Sequence, residues 1–155
     1  MRTRPFITAL ILAVTLAVTG ACGKKPIDTI ADIGVQLAPV VEEAQRTVTT
    51  ADSVGQLPKD ATAKAQAAFV QAGQVMQKIG AALRVYDTLG TEARTGSAAE
   101  IRRMLDDLRS YTRVIMAYAG GNPQLTEQLN RTFTNLDRLI DTIVQGLAPL
   151  RAGGN

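Results

Sequence analysis

The chain has 155 residues, no histidine and one cysteine, so it lacks the commonest general base and the ligands of a thiolate or imidazole zinc site. Its formal net charge of +3 includes two arginines in an N-terminal segment that we expect to be removed, and the remaining 15 Lys and Arg nearly balance 14 Asp and Glu. A chain so close to neutral lacks the basic surface that nucleic-acid binding requires. We therefore expect a non-enzymatic protein without a metal, a cofactor or a nucleic-acid partner.

The first 22 residues have the order of a secretory signal. Two arginines precede an apolar run over residues 6–18, and small residues at positions 19–21 lead to Cys22. The apolar run is shorter than the about 20 residues that a membrane-spanning helix needs. This length favours a cleaved signal over a retained transmembrane helix.

This segment resembles the lipobox signal of bacterial lipoproteins. As in that family, a small residue, Ala21, precedes the cysteine, whereas Thr19 stands at the position where leucine is commonest. The resemblance implies lipid attachment to the Cys22 sulfur, removal of residues 1–21 and acylation of the new amino terminus. A lone cysteine in an exported chain fits this interpretation because it cannot form an intramolecular disulfide. The alternative is an ordinary signal peptide with a cysteine near the cut by chance.

The residues after Cys22 carry expectations about location. By analogy with enterobacterial lipoproteins, in which Asp after the cysteine retains the protein at the inner membrane, Gly23 favours the outer membrane, facing the periplasm. In a cell with one membrane we expect the outer face of the cytoplasmic membrane. Residues 22–27 form a short tether, in which Lys24 and Lys25 either contact lipid headgroups or only keep the tether soluble.

The remaining chain predicts four helices and no strands, because its apolar residues recur every three or four positions. The first helix is expected from the N-cap Asp28 to about Thr50, with a kink or break at Pro39. The second begins near Pro58 and stops at Gly90, a C-terminal cap.

The third helix is expected to open at a capping box, Ser97–Glu100, and to end at Gly120–Gly121. The fourth follows an N-cap at Asn122, has proline at its first position, and ends at Pro149. Short connections favour antiparallel neighbours. We expect an all-α, antiparallel up-down four-helix bundle over residues 28–149 and a flexible tail over 150–155. The alternative is a three-helix core of helices 2–4 with a kinked first helix lying across it.

The second helix carries two groups of small residues. Gly73 and Gly80 lie seven residues apart beside the apolar stripe, and we expect a neighbouring helix to approach them closely, a ligand groove being the alternative. Four small residues on the inner side either leave space for an apolar ligand or allow tight packing. They are Ala65, Ala68, Ala72 and Ala82.

The third helix carries a candidate basic strip of Arg102, Arg109 and Arg113. Arg102 has an acidic residue four positions on, whereas the other two have none at that spacing in their own helix. The strip is a candidate contact for lipid phosphate or an acidic protein, and a solvated charged face is the alternative. Asp137 and Asp141 share a face of the fourth helix, which we interpret as solvated rather than catalytic.

These features favour a lipid-anchored, non-enzymatic envelope protein that acts through protein–protein contacts as a scaffold, adaptor or accessory subunit. Its expected partners are the membrane, through the N-terminal lipid, and an envelope protein that the sequence does not identify. The alternative is a carrier or sensor that binds an apolar ligand or lipid between its helices. The sequence leaves the oligomeric state open.

Overall fold

The computed structural model describes residues 26–86 and 88–147, and these residues form four α-helices and their connections. In chain order the helices are α1 (Pro26–Ser53), α2 (Lys59–Tyr86), α3 (Thr91–Ala119) and α4 (Pro123–Gly146). No strand occurs within these two ranges. The predicted all-α class is confirmed.

The helices form an up-down bundle in which each helix packs against two neighbours. α2 packs closely on α3, and α1 packs closely on both α4 and α2, while α3 and α4 pack less closely. Gly34 near the start of α1 lies against Leu83 near the end of α2, and Gly146 at the end of α4 lies against Ile30. These neighbours therefore run antiparallel, and the three-helix alternative is wrong because α1 is a full member of the bundle.

One apolar stripe from each helix forms the core. The stripe of α4 is the most regular, and its buried members are Leu125, Leu129, Phe133, Leu136, Ile140 and Ile143. The stripe of α1 includes Leu37, Val41, Ala44 and Val48, all buried. Each fully buried aliphatic side chain of this size contributes roughly 1.5–3 kcal/mol. Burial of these stripes therefore holds the four helices together.

α1 continues through Pro39 without interruption, so the predicted break does not occur. Pro39 is exposed, while Leu37 and Val41 on either side of it are buried. The burial of these neighbours keeps the helix together where proline removes one backbone hydrogen bond. α1 also begins at Pro26, two residues before the predicted start at Asp28, since proline at the first helical position has no N–H to lose.

The connection between α2 and α3 differs most from the prediction. α2 ends at Tyr86, short of Gly90, and Gly90 is instead the extended N-cap residue of α3. The Ser97–Glu100 capping box therefore lies inside α3 rather than at its start. The contact of Arg94 in this early part of α3 with the ring of Tyr86, at 6.0 Å from its centroid, is one that the local pattern does not reveal.

The start of α4 confirms the prediction. The Asn122 side chain accepts a hydrogen bond from the backbone N–H of Leu125 at 3.1 Å, and Pro123 occupies the first position of the helix. At the same end of the bundle, Asn122 also donates to the Gln56 side chain in the α1–α2 connection, at 3.3 Å. Gly55 in that connection has φ 71°, a left-handed backbone conformation that glycine adopts without strain.

Several predicted features lie outside the described residues. They are the signal segment 1–21, the lipidated Cys22, the tether lysines Lys24 and Lys25, and the tail 150–155. Residues 26–27 of the expected tether belong to α1.

Candidate functional site

A surface groove with a volume of about 640 Å³ runs between α1 and α2. Gly73 and Gly80 form part of its α2 wall, and a Cβ atom added to either would meet no atom within 4 Å. The expected close approach of a neighbouring helix to these glycines is therefore wrong. Seven residues make almost two helical turns, so both glycines face the same side and leave the groove open there.

The two helices do approach closely at a third glycine. A Cβ atom added to Gly34 would lie 2.7 Å from Cδ1 of Leu83, whose side chain is buried. This separation is too short for a carbon contact, so a side chain at residue 34 would require the Leu83 side chain to shift. Gly34 itself lines the groove.

The floor of the groove is apolar, and its walls mix apolar with polar side chains. Val41 and Phe69 are buried beneath it and join it to the core. Val35 on the α1 wall has 67% of its surface exposed, the largest fraction among the exposed large apolar residues of the described ranges. The groove is thus open to solvent along the bundle, with an apolar floor.

Charged and polar residues border the groove unequally. The α1 side carries Asp32, Glu42 and Gln45, and the α2 side carries Gln77 and Arg84. Asp32 makes a contact within the chain. At the end of the groove near the start of α1, a carboxylate therefore lies on one wall and a guanidinium on the other.

The small inward residues of α2 do not open a space between the helices. Ala65, Ala68 and Ala72 are buried in the core, and Ala82 is partly buried against it. Their small side chains fit the close packing of α2 on α3. Tight packing, the second of the two expectations for these alanines, is the outcome.

Arg109 of the predicted basic strip lies between α3 and α4. Its side chain is only 24% exposed, its Nε donates to Asp137 at 3.1 Å, and its NH2 group donates to Asp141. Asp106 of its own helix lies 3.7 Å away. Burial on its own would lower the pKa of Arg109, but the hydrogen bonds and attraction from Asp141 and Asp137 outweigh it and raise the pKa.

The other two arginines of the strip are placed differently. Arg102, for which the sequence suggested a pair with Asp106, instead donates to the backbone carbonyl of Leu147 at 2.9 Å. A cation there satisfies a carbonyl at the C-terminal end of α4 and interacts favourably with the helix dipole. Arg113 is exposed. Two of the three guanidinium groups therefore have partners within the chain, and a headgroup or partner contact of the strip stays a prediction.

The sequence indicates the contact between Arg109 and the two aspartates of α4 when the two helices are considered together. Arg109 has no carboxylate four residues away in α3, while Asp137 and Asp141 share one face of α4. Antiparallel neighbours bring such unpaired groups together across an interface. The pair of Gly73 and Gly80 likewise indicates a groove, which is the second of the two expectations for these glycines.

Two further properties bear on the kind of site. The described residues contain no group of three Cys, Asp or Glu side chains placed to hold a metal ion. None of the helices in the described ranges is long and apolar enough to span a membrane. Comparison of the chain with protein-family models, with curated proteins and with solved structures gives no match.

Proposed function

We propose that this chain is a lipid-anchored, non-enzymatic protein of the cell envelope that acts through protein–protein contacts along the α1–α2 groove. In this role it serves as a scaffold, adaptor or accessory subunit. The observation that supports the proposal is the groove itself, an open surface with an apolar floor, two open glycines and an exposed valine.

The dimensions of the groove favour a macromolecular partner over a small ligand. From Asp32 to Gln45 the lining residues of α1 extend over about 20 Å at 1.5 Å per residue. A pocket for a small molecule encloses most of its ligand, whereas Val35 on this wall is largely exposed. A helix laid along a groove uses such a surface through successive turns.

The proposed anchor places this surface close to a membrane. Three residues, 23–25, separate Cys22 from the start of α1 at Pro26, and they span at most roughly 10 Å. Lipid on Cys22 with a second acyl chain at the amino terminus holds the protein firmly. Lys24 and Lys25 then lie at the headgroups, where each contributes about 1 kcal/mol against anionic lipid.

Crosslinking in cells that express the full-length chain tests the proposal. Partners captured with the wild type are compared with those captured by Gly80→Leu, which adds a large apolar side chain to the groove at a position where a Cβ atom meets nothing within 4 Å. Gly96→Leu is the matched control, since an added Cβ there also meets nothing within 4 Å but residue 96 lies on α3. We expect an envelope protein that is lost only with the groove variant.

Two results would contradict the proposal. Equal capture of every partner by the wild type and Gly80→Leu would remove the groove from the function. Recovery of a stoichiometric lipid or other apolar molecule, with no protein partner, would favour the carrier alternative. Native mass spectrometry of the purified protein detects such a ligand directly.

A further inference from the structure

We propose that the α1–α2 groove is occupied by the same groove of a second copy, in a symmetric dimer. The proposal rests on the proposed function and names the partner of that site. In a two-fold arrangement with its axis parallel to the helices, α1 of each copy packs against α2 of the other. Such an interface requires a surface that is complementary to itself.

The groove contains both a protrusion and a depression at nearly the same height. Gly34 contacts Leu83, and α1 and α2 run antiparallel, so Val35 lies about 3 Å along the bundle axis from the level of Gly80. The two-fold axis leaves heights unchanged. The exposed Val35 of each copy therefore meets the open space over Gly80 of the other copy, and the contact occurs twice.

One charge pair at the end of the groove is also complementary to itself, whereas Glu42 further along the α1 wall is paired with Arg46 of its own helix. Asp32 on the α1 wall and Arg84 on the α2 wall lie at the same end of the groove. When α1 faces the other copy's α2, the carboxylate of each copy approaches the guanidinium of the other. Asp32 already makes a contact within its own chain, and a carboxylate can accept several hydrogen bonds at once.

The direction of the surface suits two anchored copies. The groove lining extends over about 20 Å along α1, half of the about 40 Å length of α1 and α2, so an interface of the usual 800 Å² or so per copy also includes the flanking turns of both helices. Two chains held in one membrane by their amino termini have bundle axes pointing the same way. A two-fold axis perpendicular to the membrane satisfies that constraint.

Disulfide crosslinking between two differently tagged full-length chains tests the dimer. One chain carries Val35→Cys and the other Gly80→Cys, both are expressed in the same cells, and the membranes are oxidised. We expect a product containing both tags, at least ten times more abundant than from a control pair of Val114→Cys and Gly80→Cys. Val114 is an exposed valine on α3, and two chains with only the native Cys22 give the background.

A second measurement separates the dimer from the wider proposal. Amine crosslinking of the wild type is expected to give a dimer that is lost at least tenfold in Gly80→Leu and kept in Gly96→Leu. Absence of both the mixed disulfide and the groove-dependent dimer overturns the second copy as the occupant. In that event, capture of another envelope protein that depends on Gly80 leaves the proposed function standing, and absence of any such capture removes both.

Discussion

The contrast between two glycines gives a quantitative test of the α1–α2 packing. Gly80→Ala introduces a Cβ atom with no neighbour within 4 Å, so only the helix preference of the residue changes. Replacing Gly by Ala inside a helix stabilises it by about 0.5–1 kcal/mol. For a domain of this size we expect the melting temperature to rise by roughly 2–4 °C.

Gly34→Ala makes the same change with the opposite result. The preference for helix increases equally, but the new Cβ atom lies 2.7 Å from the buried Leu83 side chain. Forcing an extra carbon into a packed site typically costs about 1–3 kcal/mol. We expect a net loss of about 1 kcal/mol in the free energy of unfolding, and therefore a difference of about 2 kcal/mol between the two alanine variants.

Urea and thermal unfolding followed by circular dichroism measure both effects on residues 22–155 with Cys22→Ser. A double-mutant cycle with Leu83→Ala adds a control, because Leu83→Ala removes the atom that the new Cβ meets. The double variant is expected to lose at least 1 kcal/mol less than the two single losses combined. Equal stabilisation by Gly34→Ala and Gly80→Ala would refute the close contact, and with it the shape of the groove.

Three further changes test other parts of the molecule. Arg109→Gln removes the bonds to Asp137 and Asp141 and is expected to lower the free energy of unfolding by about 1–2 kcal/mol in urea titrations, while Arg109→Lys is expected to recover only part of that loss. Because the pKa of Arg109 is raised in the folded protein, its contribution to stability is complete below the ordinary arginine pKa and disappears only above it. We therefore expect no loss of stability from titration of Arg109 up to pH 10. Asn122→Ala removes the N-cap of α4 and is expected to cost about 1 kcal/mol in the same measurement, whereas Asn122→Gly is expected to cost only a few tenths. Equal stability of the wild type and both variants would contradict a role for the cap. Cys22→Ser is expected to move the protein from the membrane to the soluble exported fraction on cell fractionation, whereas unchanged tight membrane association would contradict the lipid anchor.

Local signals were sufficient to predict α4 almost completely. Asn122 as the cap, proline after it and an apolar residue at every third or fourth position are all properties of neighbouring residues. The apolar residues from Leu125 to Ile143 all lie on one face of α4, so only that face could be buried. For this helix, tertiary packing selected the structure that the local preferences already favoured.

The α2–α3 connection was predicted less well because its ends depend on packing between helices. Ser97–Glu100 has the composition of a helix start, but a capping box inside a helix is still compatible with helical backbone. In the added first turns of α3, Arg94 is partly buried and lies over the ring of the buried Tyr86, 6.0 Å from its centroid. Pro39 does not break α1 for a similar reason, since the burial of α1 on both sides of it outweighs one missing hydrogen bond.

The groove and the Arg109 cluster required knowledge of which helix faces which. Gly73 and Gly80 indicate that space exists beside α2, but only the rotation of α1 decides whether another helix fills that space. Arg109 and its partners lie on different helices, far apart in the chain, so no spacing within one helix reveals their contact. The sequence supplied the groups in both cases, and the arrangement of the bundle determined what they meet.

α1 links the proposed anchor to the proposed interaction surface. It begins four residues after Cys22, and from Ala31 onward it forms one wall of the groove. With the proposed anchor, the Asp32–Arg84 end of the groove is the end nearest the membrane. A helical partner or a second copy that is itself anchored nearby enters the groove already aligned along the bundle axis, so less orientational freedom is lost on binding. By this argument, moving the anchor away from α1 with a long flexible linker weakens association even when every residue of the groove is kept.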